Sequence, residues 1–434
     1  MNDDRIDYTL VMNARFQQGF FMIRIAYIGI LTLAISCSAF AAGEWPQFRG
    51  PSSNGHAGKV GLPLTWSETE NVKWKTAIPG KGWSSPVVAG DQVWLTTALN
   101  EGRSLHAICV SRETGKIIHD IELFTPENPG KVHMLNSFAS PTPVIDESRV
   151  YVHFGNFGTA AINRKDGSVA WKTNDFGDVI YTVGPGSSPI LHGNLLIVHC
   201  DGINQRFLLA LNKDTGKVAW KKERSNPIKK SEQQEKAFCS PLLIKHDGKE
   251  QLISLHADAL TSYDPATGDE LWQYRYEGYS NVAVPAFGHG MLYVNTGYDF
   301  PRFLALRPGS KGQVSDDHVA WSIKRGIGAR VSPLVVGDRL YLMTDDGIAQ
   351  CVDAKTGDQL WKQRIGGAFC ASPLFVDGHI FFFDQTGTAT IFEPGDTYKQ
   401  VAQNKLGDGC MGTPAIAGKA MFLRSKSHLY RIEK

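Results

Sequence analysis

The sequence predicts an all-β fold, an eight-bladed β-propeller with four strands to a blade, on three observations. A phrase of one small residue, Pro and two or three apolar residues recurs eight times along the 434 residues. A second phrase, with Gly followed four places later by Trp, recurs between these. Successive Pro positions lie from 40 residues apart (Pro333 to Pro373) to 57 (Pro86 to Pro143), the length of a blade built from four short strands.

The first phrase stands as Ser85-Pro86-Val87-Val88, Thr142-Pro143-Val144-Ile145, Ser188-Pro189-Ile190-Leu191 and Ser240-Pro241-Leu242-Leu243. It returns as Val284-Pro285-Ala286-Phe287, Ser332-Pro333-Leu334-Val335, Ser372-Pro373-Leu374-Phe375 and Thr413-Pro414-Ala415-Ile416. Pro can open a strand where its missing N–H does no harm. In seven of the eight units the next apolar run begins seven residues after the Pro, and only the unit at Pro241 lengthens its hairpin. Each phrase therefore reads as two antiparallel strands joined by a tight turn.

The second phrase supplies two more. Asp214-Thr215-Gly216-Lys217-Val218-Ala219-Trp220 is matched at Lys165 to Trp171, Ala266 to Trp272 and Lys355 to Trp361. Gly takes the left-handed position of the hairpin, and Trp falls on the outgoing strand. Trp171, Trp220, Trp272, Trp321 and Trp361 are expected to dock neighbouring blades; His119 takes that place in the first unit, and the seventh has no counterpart. The eighth unit has only three strands before Lys434, whereas Asn71 to Lys75, with Trp74, stands alone before the first. The N-terminal strand is thus expected to complete the last blade and close the ring.

Composition agrees with a globular chain: 42% hydrophobic and 20% charged residues, with 44 Gly and ten Trp. Lys plus Arg (45) nearly balances Asp plus Glu (43), so no field of one sign recruits nucleic acid. Residues 1–41 read as an export signal, with Ala39-Phe40-Ala41 as the cleavage site and Met22 as a better-proportioned start than Met1. An uncleaved anchor and a lipidated Cys37 are the alternative readings. Residues 42–70 form an N-terminal extension, and 71–434 the propeller. The protein is expected outside the cytoplasm, in the periplasm or its equivalent. Its six remaining cysteines, widely spaced, read as buried free thiols.

The repeat resembles the PQQ repeat, whose signature is A-x-D-x-x-T-G-x-x-x-W, across roughly residues 45 to 434. The resemblance implies a propeller related to quinoprotein dehydrogenases and to cofactor-free scaffolds such as the outer-membrane assembly factor BamB. The segments Trp45-Pro46-Gln47-Phe48-Arg49-Gly50-Pro51 and Asn136 to Pro143 are similar to exported PQQ-like proteins of planctomycete-type bacteria. A PQQ enzyme of that kind needs a divalent cation held by Glu, Asn and Asp oxygens and an Asp base; many also use a disulfide between adjacent cysteines, which this chain lacks.

Residues just before each first-strand Pro are expected to ring the channel mouth: Trp83, Asn136, Phe138, Phe238, Asn281, Arg330, Phe369 and Met411. The expected ring has aromatic, sulfur and amide groups but no carboxylate, which speaks against calcium and the quinone. Packing of the channel is the plainer role for the same residues. His133 and His153 lack partners at defined spacing and read as loop and strand residues, and Lys221 to Lys236 as a solvated connection. The long loop Phe124 to Leu135 is the place for specific contacts. No catalytic or metal-binding residue is assigned and no cofactor is expected. The preferred reading is an exported, non-catalytic binding or assembly scaffold for an envelope protein, a peptide or a small molecule. The alternative is a small PQQ-dependent alcohol or sugar dehydrogenase.

Overall fold

The computed structural model describes residues 43–226, 231–299 and 301–434; the expected leader, with Met22 and Cys37, lies outside the described residues. Eight sheets of four antiparallel strands follow one another along the chain, seven of them with these strands in sequence order from the innermost outward. Blade 1 runs Val87–Ala89, Gln92–Leu99, Ser104–Ser111 and Ile117–Phe124. Blade 8 runs Ala415–Ala417, Ala420–Arg424 and His428–Ile432, and its fourth strand is Val72–Ala77, paired antiparallel to His428–Ile432. The N-terminal strand therefore closes the ring, and the fold is an eight-bladed β-propeller.

Innermost strands begin one residue after the repeated Pro, so the residue before Pro faces the axis at the same height in every blade. Its hydroxyl explains why it is Ser or Thr in seven blades. The N–H of Ser85 donates to Thr142 Oγ1 (3.0 Å), Thr142 to Ser188 Oγ (2.9 Å) and Ser188 to Ser240 Oγ (2.8 Å). The series resumes with Val284 to Ser332 Oγ (3.0 Å), Ser332 to Ser372 Oγ (3.3 Å) and Ser372 to Thr413 Oγ1 (2.9 Å). Valine at 284 interrupts it after blade 4, because it offers no acceptor. Backbone donors that no sheet can satisfy are thereby paired blade to blade.

The rim is joined differently. Gly216 adopts φ +72°, and a Cβ there would stand 2.6 Å from Trp171 of the preceding blade, so conformation and space both demand glycine. Trp74, Trp171, Trp220 and Trp321 lie in this way against Gly115, Gly216, Gly268 and Gly357, and His119 against Gly167. Indole N–H groups of Trp74, Trp171, Trp321 and Trp361 donate to carbonyls of the next blade: Arg112, Lys213, Ala354 and Gly395 (2.8–3.1 Å). Trp272 departs from the pattern. The connection between Phe303–Leu306 and Val319–Ile323 of blade 5 is long and lays a fifth, parallel strand, Gly312–Val314, on the outer edge of blade 4. Trp272 is consequently buried completely and bonds within its own blade, to Gln251 Oε1 at 2.9 Å.

The hydrophobic core lies between neighbouring blades; one cluster joins Val150 and Val152 to Leu105 and Ala107, another Tyr341 and Met343 to Phe382 and Phe392. The six cysteines of the described residues are free, five of them buried. The connection 221–236 is solvated only in part among its described residues. Arg224 is buried with Nε 3.0 Å from Asp201, and Arg206 pairs with Glu235 at 2.7 Å, both partners inside the protein. Lys221, Glu223, Ser225, Ser231, Glu232 and Gln233 carry its exposed part among the described residues.

Candidate functional site

Residues 45–57 cross the axis. Trp45 exchanges backbone hydrogen bonds with Val88 of blade 1 (2.8 and 2.9 Å), and Pro46 accepts from Ile145 of blade 2. On the far side Arg49 Nη2 donates to Pro333 O of blade 6 (2.7 Å), and Gly55 and Ala57 bond Phe375 of blade 7. Gly55 cannot carry a side chain, because its φ is +78° and a Cβ would meet Pro373 O at 2.8 Å. The extension thus runs beneath the hydroxyl series, and Phe48 forms part of the floor of a cavity above it. Arg49 is fully buried, and its Nε and Nη1 have no partner among the described residues.

That cavity has a volume of about 630 Å³ and opens on the face that carries the blade-to-blade loops. Its lower wall is the hydroxyl series: Ser85, Thr142, Ser188, Ser240, Ser332, Ser372 and Thr413. Trp83, Asn136, Phe238, Arg330 and Met411, expected at the mouth, do line it. Three other residues of that expected ring do not. Phe138 packs against Gly102 and Phe157 between blades 1 and 2, and Phe369 stands edge-on to Phe382 in the core. Asn281 is buried with Nδ2 bonded to Tyr276 Oη (3.0 Å). In each case the side chain turns into the seam between blades, where apolar burial and a buried hydroxyl give it partners the channel lacks.

The ring is not free of carboxylates. Asp345 reaches it from the hairpin between Arg339–Met343 and Ile348–Asp353, a place that reading only the residues before Pro could not reveal. Its Oδ1 lies 3.3 Å from Arg330 Nε, and its oxygens accept from the backbone N–H of Ala329 and Arg330 (3.2 Å each). Other loops contribute His133, Gln233, Lys236, Tyr279 and Tyr298. Lys236 bonds only neutral oxygens, Gln233 Oε1 (2.9 Å) and Thr182 Oγ1 (3.3 Å), and burial lowers its pKa below the usual lysine value. The long loop after Phe124 supplies His133, Leu135 and Asn136. His153 is instead a buried strand residue bonded to Thr159 Oγ1 at 2.9 Å.

Donors outnumber acceptors here. The indole N–H of Trp83 and Nε of Arg330 are buried without a hydrogen-bond partner among the described residues. Among the described residues no group of three or more His, Cys, Asp or Glu side chains could hold a metal ion. The single lining carboxylate is already committed to Arg330 and two backbone N–H groups, so the donor set does not fit a calcium–quinone pair, which needs several free carboxylate or amide oxygens at one point.

Comparison with known proteins places this architecture. The family model described as outer membrane protein assembly factor BamB matches residues 57–174, 109–285 and 304–400, more than half of the chain. The chain belongs to this family of PQQ-like β-propellers. Curated BamB proteins of Alkalilimnicola ehrlichii and Yersinia pestis are 24% and 20% identical to it, over 47% and 64% of this chain. The chain spans about half (49%) of the first of these relatives and 67% of the second. Among solved structures, BamB of Moraxella catarrhalis superposes with a TM-score of 0.57 at 13% identity, covering 83% of this chain and 99% of that one. A quinohemoprotein alcohol dehydrogenase of Comamonas testosteroni reaches 0.64 at 11% identity, covering 91% and 81%. At such identities the likeness is one of fold.

Proposed function

We propose that the protein is a non-catalytic, extracytoplasmic scaffold, BamB-like in kind, which holds a partner on its loop face over the axial cavity. Membership of the BamB family supports the scaffold reading, and the chemistry of the cavity carries it. An acid–base mechanism needs a titratable group free to exchange its proton beside the substrate, and metal catalysis needs a convergent ligand set. The cavity offers one carboxylate paired with Arg330, His133 bonded to the Leu135 N–H, and Lys236 held by two neutral oxygens, among rings and hydroxyls, a surface suited to holding a group. Loops supply the cavity mouth while the blades stay rigid, the usual division of labour in a binding protein. The dehydrogenase reading keeps one observation in its favour, Asp345 beside Arg330.

Photo-crosslinking in the native envelope separates these readings. A crosslinking residue at Tyr298 or Met134 is expected to capture a protein partner, and one at Lys419, on the opposite end of blade 8, is not. Titration with PQQ and calcium, followed by quinone absorbance and dye reduction with alcohols and aldoses, is expected to give neither saturable binding nor turnover. Turnover lost in Arg330→Ala or Asp345→Ala would replace the scaffold by the enzyme.

A further inference from the structure

Resting on the scaffold reading, we infer that the axial cavity receives the C-terminal end of an extended polypeptide, its carboxylate held by Lys236 and Arg330 and its last side chains by the aromatic wall. Three independent features of the cavity lead there: its charge, its unpartnered donors and its rim.

Two cations, Lys236 and Arg330, and one carboxylate, Asp345, line the cavity, leaving one positive charge uncompensated. Among the described residues Lys236 has no carboxylate partner, and its ammonium is held in a partly desolvated place by two neutral oxygens. Charge left uncompensated in such surroundings is costly and attracts a counter-anion. Unpartnered donors agree: Arg330 Nε, 3.3 Å from Asp345 Oδ1, and Trp83 Nε1 are both buried without a hydrogen-bond partner among the described residues. A carboxylate is a planar, acceptor-only group that suits a guanidinium fork and an ammonium together.

Size and rim argue for a chain rather than a small anion. Phe48, Trp83, Phe238, Tyr279 and Tyr298 furnish aromatic wall in a volume of about 630 Å³, room for one or two side chains beyond the carboxylate. Apolar side chains continue outward past the mouth. Met134, between the lining residues His133 and Leu135, is 82% exposed, and Tyr298 is 58% exposed. Ile180 and Val282 add to this exposed apolar surface on neighbouring loops. A ligand confined to the cavity leaves Met134 and Ile180 in water, whereas residues preceding a C-terminus pass over them. The segment 45–57, with Phe48 in the floor, crosses below the cavity, so the occupant enters by its tip and does not thread through.

The test is fluorescence anisotropy with the full exported chain and a dye-labelled peptide, Gly-Ser-Gly-Ser-Leu-Phe, made once as the free acid and once as the C-terminal amide. The acid is expected to bind saturably and the amide about ten- to a hundredfold more weakly, the loss that accompanies removal of a charge-assisted contact. Lys236→Gln breaks no ion pair, so it should fold like the parent and bring the acid down to the affinity of the amide. Equal binding of acid and amide, no binding of either, or an unchanged affinity in Lys236→Gln would overturn the proposal. N-acetylphenylalanine serves as the small-anion arm: if it competes as strongly as the peptide, the polypeptide assignment is wrong. A loss of acid preference while Tyr298 and Met134 still crosslink to a partner sinks this inference alone; loss of crosslinking sinks the scaffold reading itself.

Discussion

Trp272→Ala and Trp220→Ala form a matched pair whose difference follows from one inserted strand. Both tryptophans occupy the same place in successive blades. Trp272 is completely buried, because Gly309 and the strand Gly312–Val314 cover it. Its removal costs the usual penalty for a fully buried aromatic, about 3–5 kcal/mol. The hydrogen bond to Gln251 adds little, since Gln251 Oε1 keeps its other donor, Ser262 Oγ at 2.9 Å, and no orphan acceptor remains. Trp220 is partly exposed and its indole N–H is buried without a partner, so truncation there also removes an unsatisfied donor worth about 1–3 kcal/mol. Trp220→Ala should therefore cost about 2 kcal/mol less than Trp272→Ala. Equilibrium urea unfolding of the two variants beside the parent, compared at equal slope, measures the gap. Equal losses, or a larger one at Trp220, would refute the claim that the fifth strand sets the burial of Trp272.

Other expectations can be checked on the same preparation. Ser332→Ala leaves the buried N–H of Val284 without its acceptor and should cost about 1–3 kcal/mol, whereas Ser85→Ala, which removes a buried Oγ without a partner among the described residues, should cost nothing or stabilise by urea unfolding. Burial lowers the pKa of His153 from 6.5 to about 4, so the unfolded chain takes up its proton first as pH falls. Its contribution to stability is complete above pH 6.5 and fades down to about pH 4, by about 3 kcal/mol at most. Melting curves of the parent and His153→Gln across that window should converge at low pH; parallel curves would exclude His153 as the acid-sensitive group. Deleting Val72–Ala77 exposes the edge of blade 8 and should cost several kcal/mol, a large part of domain stability; an unchanged melting temperature would show that the ring closes another way.

How far the sequence spoke depended on whether the physics was local. Pro before a strand and Gly four residues before Trp are local conformational requirements, so eight units and the N-terminal closure were readable directly. The hydroxyl beside Pro was visible too, but as a small residue; its use as an acceptor for the next blade appears only when the blades stand side by side. Trp83, Asn136, Phe238, Arg330 and Met411 were placed at the cavity by repeat position alone. Phe138, Asn281 and Phe369 share that position, yet rotate into blade seams. Their direction depends on neighbours such as Gly102 and Tyr276, far away along the chain.

The sequence by itself determined the repeat, the number of blades and the strand that closes them, because each rests on turns and alternation within a few residues. Only the tertiary structure decided that residues 45–57 cross the axis and floor the cavity, that Asp345 and Lys236 reach it from separate loops, and that Arg224 and Glu235 are buried. The physical reason is that charge balance, burial and unpartnered donors are properties of groups brought together across hundreds of residues. No local pattern records what will face them.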